Sequence, residues 1–155
     1  MAIKNARTDA QAVVANLIVT DVDRAIDFYT AGLGGRLLFR AGMPDGPADH
    51  AQLEVGVSVL LLTRENPDAH PEVVLRAPST LSGASVILEL YVDDVEAAVK
   101  RAVAAGAQLS LPVHGTFFGD RRAHVIDPFG HVWALATADE VLETEEVFRR
   151  AAGLT

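Results

Sequence analysis

Scanned for alternation and periodicity, the chain breaks into short apolar runs separated by turn residues. Val13-Val-Ala-Asn-Leu-Ile-Val19 is rich in β-branched residues and predicts a strand. Asp21 stands where a helix N-cap belongs, and Val22, Ile26, Tyr29 and Leu33 follow at helical spacing. Gly32 and Gly34 end that helix. Arg36 to Arg40 reads as a strand, and Gly42-Met-Pro-Asp-Gly-Pro47 as a turn-rich loop. His50 to Val55 alternates polar and apolar residues, which predicts a half-buried strand, and Gly56 turns the chain into a last strand, Ser58 to Leu62.

The same order then recurs. Val86 to Val92 is a strand, and Val95, Val99, Ala102 and Val103 form a helical stripe stopped by Gly106. A short strand follows at Gln108 to Leu111, then Arg122 to Ile126 and His131 to Thr137, separated by Asp127-Pro-Phe-Gly130. The repeat is visible in the letters. Val19-Thr-Asp-Val-Asp-Arg-Ala-Ile26 aligns with Val92-Asp-Asp-Val-Glu-Ala-Ala-Val99 at an offset of 73. His50-Ala-Gln-Leu-Glu-Val-Gly56 aligns with His124-Val-Ile-Asp-Pro-Phe-Gly130 at an offset of 74, which continues through Thr63 and Thr137. Two blocks in the same order at nearly the same spacing mark a duplicated β-α-β-β-β module.

The organisation expected is an N-terminal tail (1–11), one domain (12–137) of two modules (12–63 and 84–137), and a C-terminal helical tail (138–155) in which Thr144 caps a helix. Residues 64–83, with prolines at 67, 71 and 78, lack periodicity and read as the linker between modules.

Composition narrows the function. The 155 residues suit one ordinary domain, and half of them are hydrophobic, enough for a sizeable core. The formal net charge of -8 repels phosphate backbones and argues against nucleic acid as a partner. With no cysteine, disulfides, thiolate metal sites and cysteine nucleophiles are excluded. No apolar run approaches the roughly 20 residues that span a bilayer, and residues 1–11 lack a signal-peptide core, so no membrane partner and a cytoplasmic location are expected. Dinucleotide, phosphate-loop, His-Glu-x-x-His and Gly-x-Ser-x-Gly motifs are missing from the sequence.

Tandem modules of this kind, with Val19-Thr-Asp-Val-Asp-Arg-Ala-Ile-Asp-Phe-Tyr29, Leu33-Gly34, Tyr91-Val-Asp-Asp-Val95 and Asp127-Pro-Phe-Gly-His131, resemble the vicinal-oxygen-chelate superfamily of glyoxalases, bleomycin-resistance proteins and extradiol dioxygenases. The segment from Phe118-Gly-Asp-Arg121 to Thr137 is similar to its PhnB-like subgroup. The resemblance implies an α+β fold whose modules curl their mixed sheets into half-barrels around a cleft, and a homodimer. Metal-using members place four His, Glu or Gln ligands on the first and last strand of each module. The corresponding positions here are Val14, Leu60, Ile87 and Ala134, and none of them can ligate a cation. No metal and no other cofactor is therefore expected.

Strand parity then selects the cleft lining. The candidates are Asn16, His50, Gln52, Glu54, Leu60, Ile87, Glu89, Tyr91, Arg122 and His124; Val14, Ile18, Leu62, Ala134 and Ala136 complete the cavity with apolar wall. Each polar residue has two readings. Glu89 is either a ligand-facing acid or the partner of a base such as Arg122. His50 and His124 match in the repeat and either share a structural role or, with Glu54, build a non-standard metal site. Tyr91 stacks on a ligand or fills core. Trp133, of opposite parity to Ala134, is assigned to the core. Phe117 and Phe118 are either loop aromatics forming a lid or dimer contact, or buried.

Two functions compete. The first is a metal-free binding protein that sequesters an antibiotic or a related hydrophobic or cationic ligand. The second is an enzyme of the same superfamily, a lyase, isomerase, cyclase or dioxygenase, with Arg122, Tyr91 or a histidine stabilising charge and Glu89 or a histidine as base.

Overall fold

A computed structural model describes residues 13–66, 68 and 72–153. The first module is β1 (Ala15–Val19), α1 (Val22–Leu33), β2 (Arg36–Gly42), β3 (Ala48–Val55) and β4 (Ser58–Arg64). A short helix in the linker, α2 (Pro78–Leu81), had no periodic signal in the sequence. The second module is β5 (Ile87–Tyr91), α3 (Val95–Ala104), β6 (Gln108–Gly115), β7 (Asp120–Ile126) and β8 (Val132–Ala138), followed by α4 (Thr144–Ala151). Glu143, rather than Thr144, occupies the N-cap of α4 and makes no side-chain cap bond.

Each module forms its own four-stranded mixed sheet, ordered β1-β4-β3-β2 and β5-β8-β7-β6. The first and last strands of a module pair in parallel and the remaining pairs are antiparallel. The helices start and stop where their capping residues require. Asp21 accepts a bond from the Arg24 amide, Asp94 accepts one from the Ala97 amide, and Gly34 closes α1 in the left-handed conformation at φ 70°.

One core serves both modules. Helix α1 packs on β2, β3 and β4, helix α3 packs on β6, β7 and β8, and the two helices pack on each other. Leu17, Leu53 and Leu62 of the first sheet and Ala123, Val125 and Leu135 of the second point into this shared interior. The opposite faces of the two sheets therefore point away from each other. The resemblance implies that two half-barrels line one cleft and leaves open whether they come from one chain or two. Within one chain they do not, because the helices occupy the space between them.

A buried carboxylate ties the modules together. Asp127, 4% exposed, accepts from the Tyr29 hydroxyl of α1 at 2.5 Å and from the Trp133 indole at 3.0 Å. Its other oxygen accepts from the amides of Phe129 and His131. All four donors converge on one charge, so its burial is satisfied. The Tyr29 and Trp133 rings lie 5.7 Å apart, which places Trp133 in the core as its parity requires.

Candidate functional site

Strand register decides which side chains share an outer face. In the second module, Tyr91, Ala136 and Arg122 form one row, and Glu89, Ala134 and His124 the next. In the first, Ile18, Thr63 and His50 form one row, and Asn16, Leu61 and Gln52 the next. Glu54 lies one step further, opposite Val59. Nine of the ten candidate residues thus lie on outer faces, four (Asn16, His50, Gln52, Glu54) on the first sheet and five (Ile87, Glu89, Tyr91, Arg122, His124) on the second.

Leu60 is the correction. It pairs with Leu53 and Ala15 on the helix side and is buried, so it does not stand on the outer face; it borders instead a pocket of about 260 Å³ with Leu88, Glu89 and Trp133. Leu61 takes the place assigned to it. The reason is the offset: 74 carried Ala134 onto Leu60, whereas the pairing of Glu89 with Ala134 and of Asn16 with Leu61 requires 73. A slip of one residue moves a strand position to the other face.

The second sheet gathers the densest chemistry. Arg122 donates through both terminal nitrogens to Glu89, at 2.8 and 3.3 Å. It also lies 3.7 Å from Asp120, whose side chain is 7% exposed. The guanidinium sits 5.1 Å over the Phe118 ring, a cation–π arrangement that covers its other side. Tyr91 donates its hydroxyl to Asp120 at 2.8 Å. That bond, helped by burial and by the charge of Asp120, raises the phenol above its ordinary value, so Tyr91 keeps its proton. Burial opposes the charge on Arg122, but Glu89 more than offsets it and the guanidinium is held protonated. The Arg122 Nε is buried without a partner.

The alternatives left open for Glu89 resolve in favour of pairing with Arg122, yet its side chain remains 47% exposed and so also reaches the outer face. Tyr91 is exposed rather than core. Phe117 is exposed and packs edge-on against Phe118 in the turn between β6 and β7. Asp120, at the start of β7, is not among the residues that strand parity selects; the Tyr91 hydroxyl it holds marks it out.

On the first sheet, Glu54 pairs with Arg36 at 3.1 Å. Thr63, also missed, donates to the Asn16 carbonyl at 2.9 Å and lies 3.2 Å from His50 Nδ1. Gln52 is only 6% exposed and its Nε2 has no partner.

The divalent cation implied by the resemblance can be tested on these residues. Val14, Leu61, Ile87 and Ala134 present hydrocarbon. His50 and Glu54 lie on one sheet and His124 on the other, so one chain does not assemble the non-standard site. Among the described residues no three His, Asp or Glu side chains gather in a metal-binding group. The donor set does not fit the cation.

Comparison with known proteins agrees with this architecture. Residues 11–135 match the model of the Glyoxalase/Bleomycin resistance protein/Dioxygenase superfamily. An uncharacterized protein of Mycobacterium bovis is 33% identical over 136 residues, covering 88% of this chain and 89% of that protein. The crystal structure of TioX from Micromonospora sp. ML1 is 30% identical, with a TM-score of 0.63 over 81% of this chain and 97% of that one. A glyoxalase-related enzyme from Fulvimarina pelagi, at 24% identity and a TM-score of 0.61 over 87% of this chain and 99% of its own, shares the fold. Among the described residues no helix is long and apolar enough to cross a membrane. On the family match and the tandem βαβββ modules together, the chain belongs to the glyoxalase/bleomycin resistance protein/dioxygenase superfamily.

Proposed function

We propose that the chain captures a small amphipathic molecule, an antibiotic or a related hydrophobic ligand with a cationic group, on the outer face of the second sheet and without a metal. The observation that carries this reading is the direction of the hydrogen bonds around Arg122. The donors turn inward: Arg122 to Glu89, and the Tyr91 hydroxyl to Asp120. What faces outward is acceptor, namely the half-exposed Glu89 carboxylate and the phenolic oxygen of Tyr91. Two carboxylates, Glu89 and Asp120, against the one guanidinium of Arg122 leave an excess negative charge. A ligand must therefore bring N–H donors, best on a cation, and the exposed Ile87, Tyr91 and Leu111 offer apolar surface for its body. The Phe118 to Thr137 segment supports the PhnB-like subgroup for this chain.

The two outer faces point apart, so a closed site takes a second copy, and the reading includes a homodimer in which one protomer's first sheet covers its partner's second sheet. Sedimentation analysis giving a monomer at all concentrations would remove that part.

The test uses benzamidine and benzoate, one ring carrying either a cationic donor or an anionic acceptor. Benzamidine should raise Tm in proportion to ln(1 + [L]/Kd), and benzoate should not. Glu89→Gln should abolish the difference. Equal shifts with both probes would refute the ligand class. Larger amphipathic cations that stabilise the protein should be recovered unchanged; their conversion would establish the enzyme reading instead.

A further inference from the structure

The outer face of the first sheet holds a hydrogen-bonded chain that the proposed ligand site does not use. The Thr63 hydroxyl donates to the Asn16 carbonyl oxygen, and His50 Nδ1 lies 3.2 Å from the same Thr63 oxygen. A hydroxyl has one proton, and this one is committed to Asn16. The contact with His50 is then a hydrogen bond only if Nδ1 carries the proton and Thr63 accepts it. In the neutral imidazole, Nε2 is left with an open lone pair.

That nitrogen belongs to a residue lining a cavity of about 450 Å³, walled also by Ala41, Gly42, Arg64, Asn66 and Leu75 at the end of the sheet next to the linker. The charges bordering the cavity are paired with each other, Arg64 with Asp49 at 2.5 Å. Among the described residues nothing bonds His50 Nε2. In its neutral form His50 therefore offers the cavity a bare acceptor in one tautomer, beside apolar wall from Ala41 and Leu75 and the paired Arg64 and Asp49.

We propose that His50 Nε2 is a preset acceptor for a neutral ligand bearing an acidic O–H, of the phenol class, and that Thr63 and Asn16 are positioning residues that fix its tautomer. Within one chain the subsite lies on the other sheet from the Arg122 cluster, and its test does not rest on the ligand proposed for the second sheet.

The tautomer is read by long-range proton–nitrogen NMR on protein labelled in histidine, at about pH 9, above the ordinary imidazole range. A His50→Gln variant identifies its signals among the five histidines. His50 should show a protonated Nδ1 and a bare Nε2. Thr63→Val, which keeps the shape and removes the hydroxyl, should release His50 to the Nε2–H form. Asn16→Asp should leave the tautomer unchanged, because a carboxylate can only accept from Thr63. Phenol should then shift the Nε2 signal, anisole, which lacks the donor, should not, and Thr63→Val should weaken phenol binding roughly three- to tenfold, the loss of one neutral hydrogen bond. A protonated Nε2 in the wild type, a tautomer switch in Asn16→Asp, equal responses to phenol and anisole, or no response to phenol would each overturn the proposal. Benzamidine binding lost in Glu89→Gln with the His50 tautomer intact would separate the fate of this subsite from that of the second sheet.

Discussion

Asp127 offers the sharpest test of how the two modules are held together. It is buried, carries a charge, and takes four donors, two from side chains on different modules and two from its own turn. Tyr29→Phe deletes only the hydroxyl. The carboxylate keeps three donors, so the cost is that of one charge-assisted hydrogen bond, about 1.5–3 kcal/mol. Asp127→Asn is worse. Whichever way the amide turns, its NH₂ meets at least one N–H that cannot turn away, the Trp133 indole or the Phe129 and His131 amides, and the charge-assisted bonds are lost, so the expected loss is larger, about 2–4 kcal/mol. Against a typical stability of about 5–15 kcal/mol the second variant is near the limit of folding. The assay is urea unfolding followed by Trp133 fluorescence. This is the chain's one tryptophan and its indole bonds Asp127 directly, so the signal reports the junction itself. The double variant should cost less than the sum of the two single variants, since without the carboxylate the Tyr29 hydroxyl has already lost its charge-assisted bond. A Tyr29→Phe cost below about 0.5 kcal/mol, or full additivity in the double variant, would refute the idea that this carboxylate couples the modules.

Three further outcomes follow from single residues. Both tyrosines should resist alkaline titration. Tyr29 is held well above its ordinary value by burial and then by the charge of Asp127, and its proton is bound more tightly folded than unfolded. Its contribution to stability is thus complete below the ordinary tyrosine value near pH 10 and is lost as pH climbs toward the folded value; absorbance titration should show Tyr91 ionising first and Tyr29 only with unfolding. Gly130→Ala should destabilise by about 2 kcal/mol or more in chemical denaturation, because φ is +89° and a Cβ would lie 2.5 Å from the Ser79 amide nitrogen of the linker helix. Gln52→Met should raise stability by about 1 kcal/mol, since it removes a buried amide nitrogen that has no partner while keeping the side chain's length; a loss of stability would mean that Nε2 is satisfied in solution.

The modules were legible because duplication repeats their periodicity: the capping aspartates Asp21 and Asp94 and the stripes Val22 to Leu33 and Val95 to Val103 are local signals, and local signals survive in sequence. The linker helix was not, because four residues make no period and its hold is tertiary, through Glu65 accepting from the Ala77 amide and the Thr80 hydroxyl. The site shows a subtler limit. Letters matched His50 to His124, but register puts His50 in the row equivalent to that of Arg122, and Gln52 in that of His124. The equivalence between β3 and β7 runs at 72, and between β4 and β8 at 73, because the tight turn at Gly56 and the longer turn at Asp127 to Gly130 consume different numbers of residues. Two histidines that looked like a repeated structural feature are therefore unrelated positions, and the polar content of the two faces is different by construction: a histidine relay on one, an arginine held between carboxylates on the other. A dimer that brings first face to second would join unlike half-sites, so a ligand spanning them would meet a neutral acceptor at one end and an acidic rim at the other.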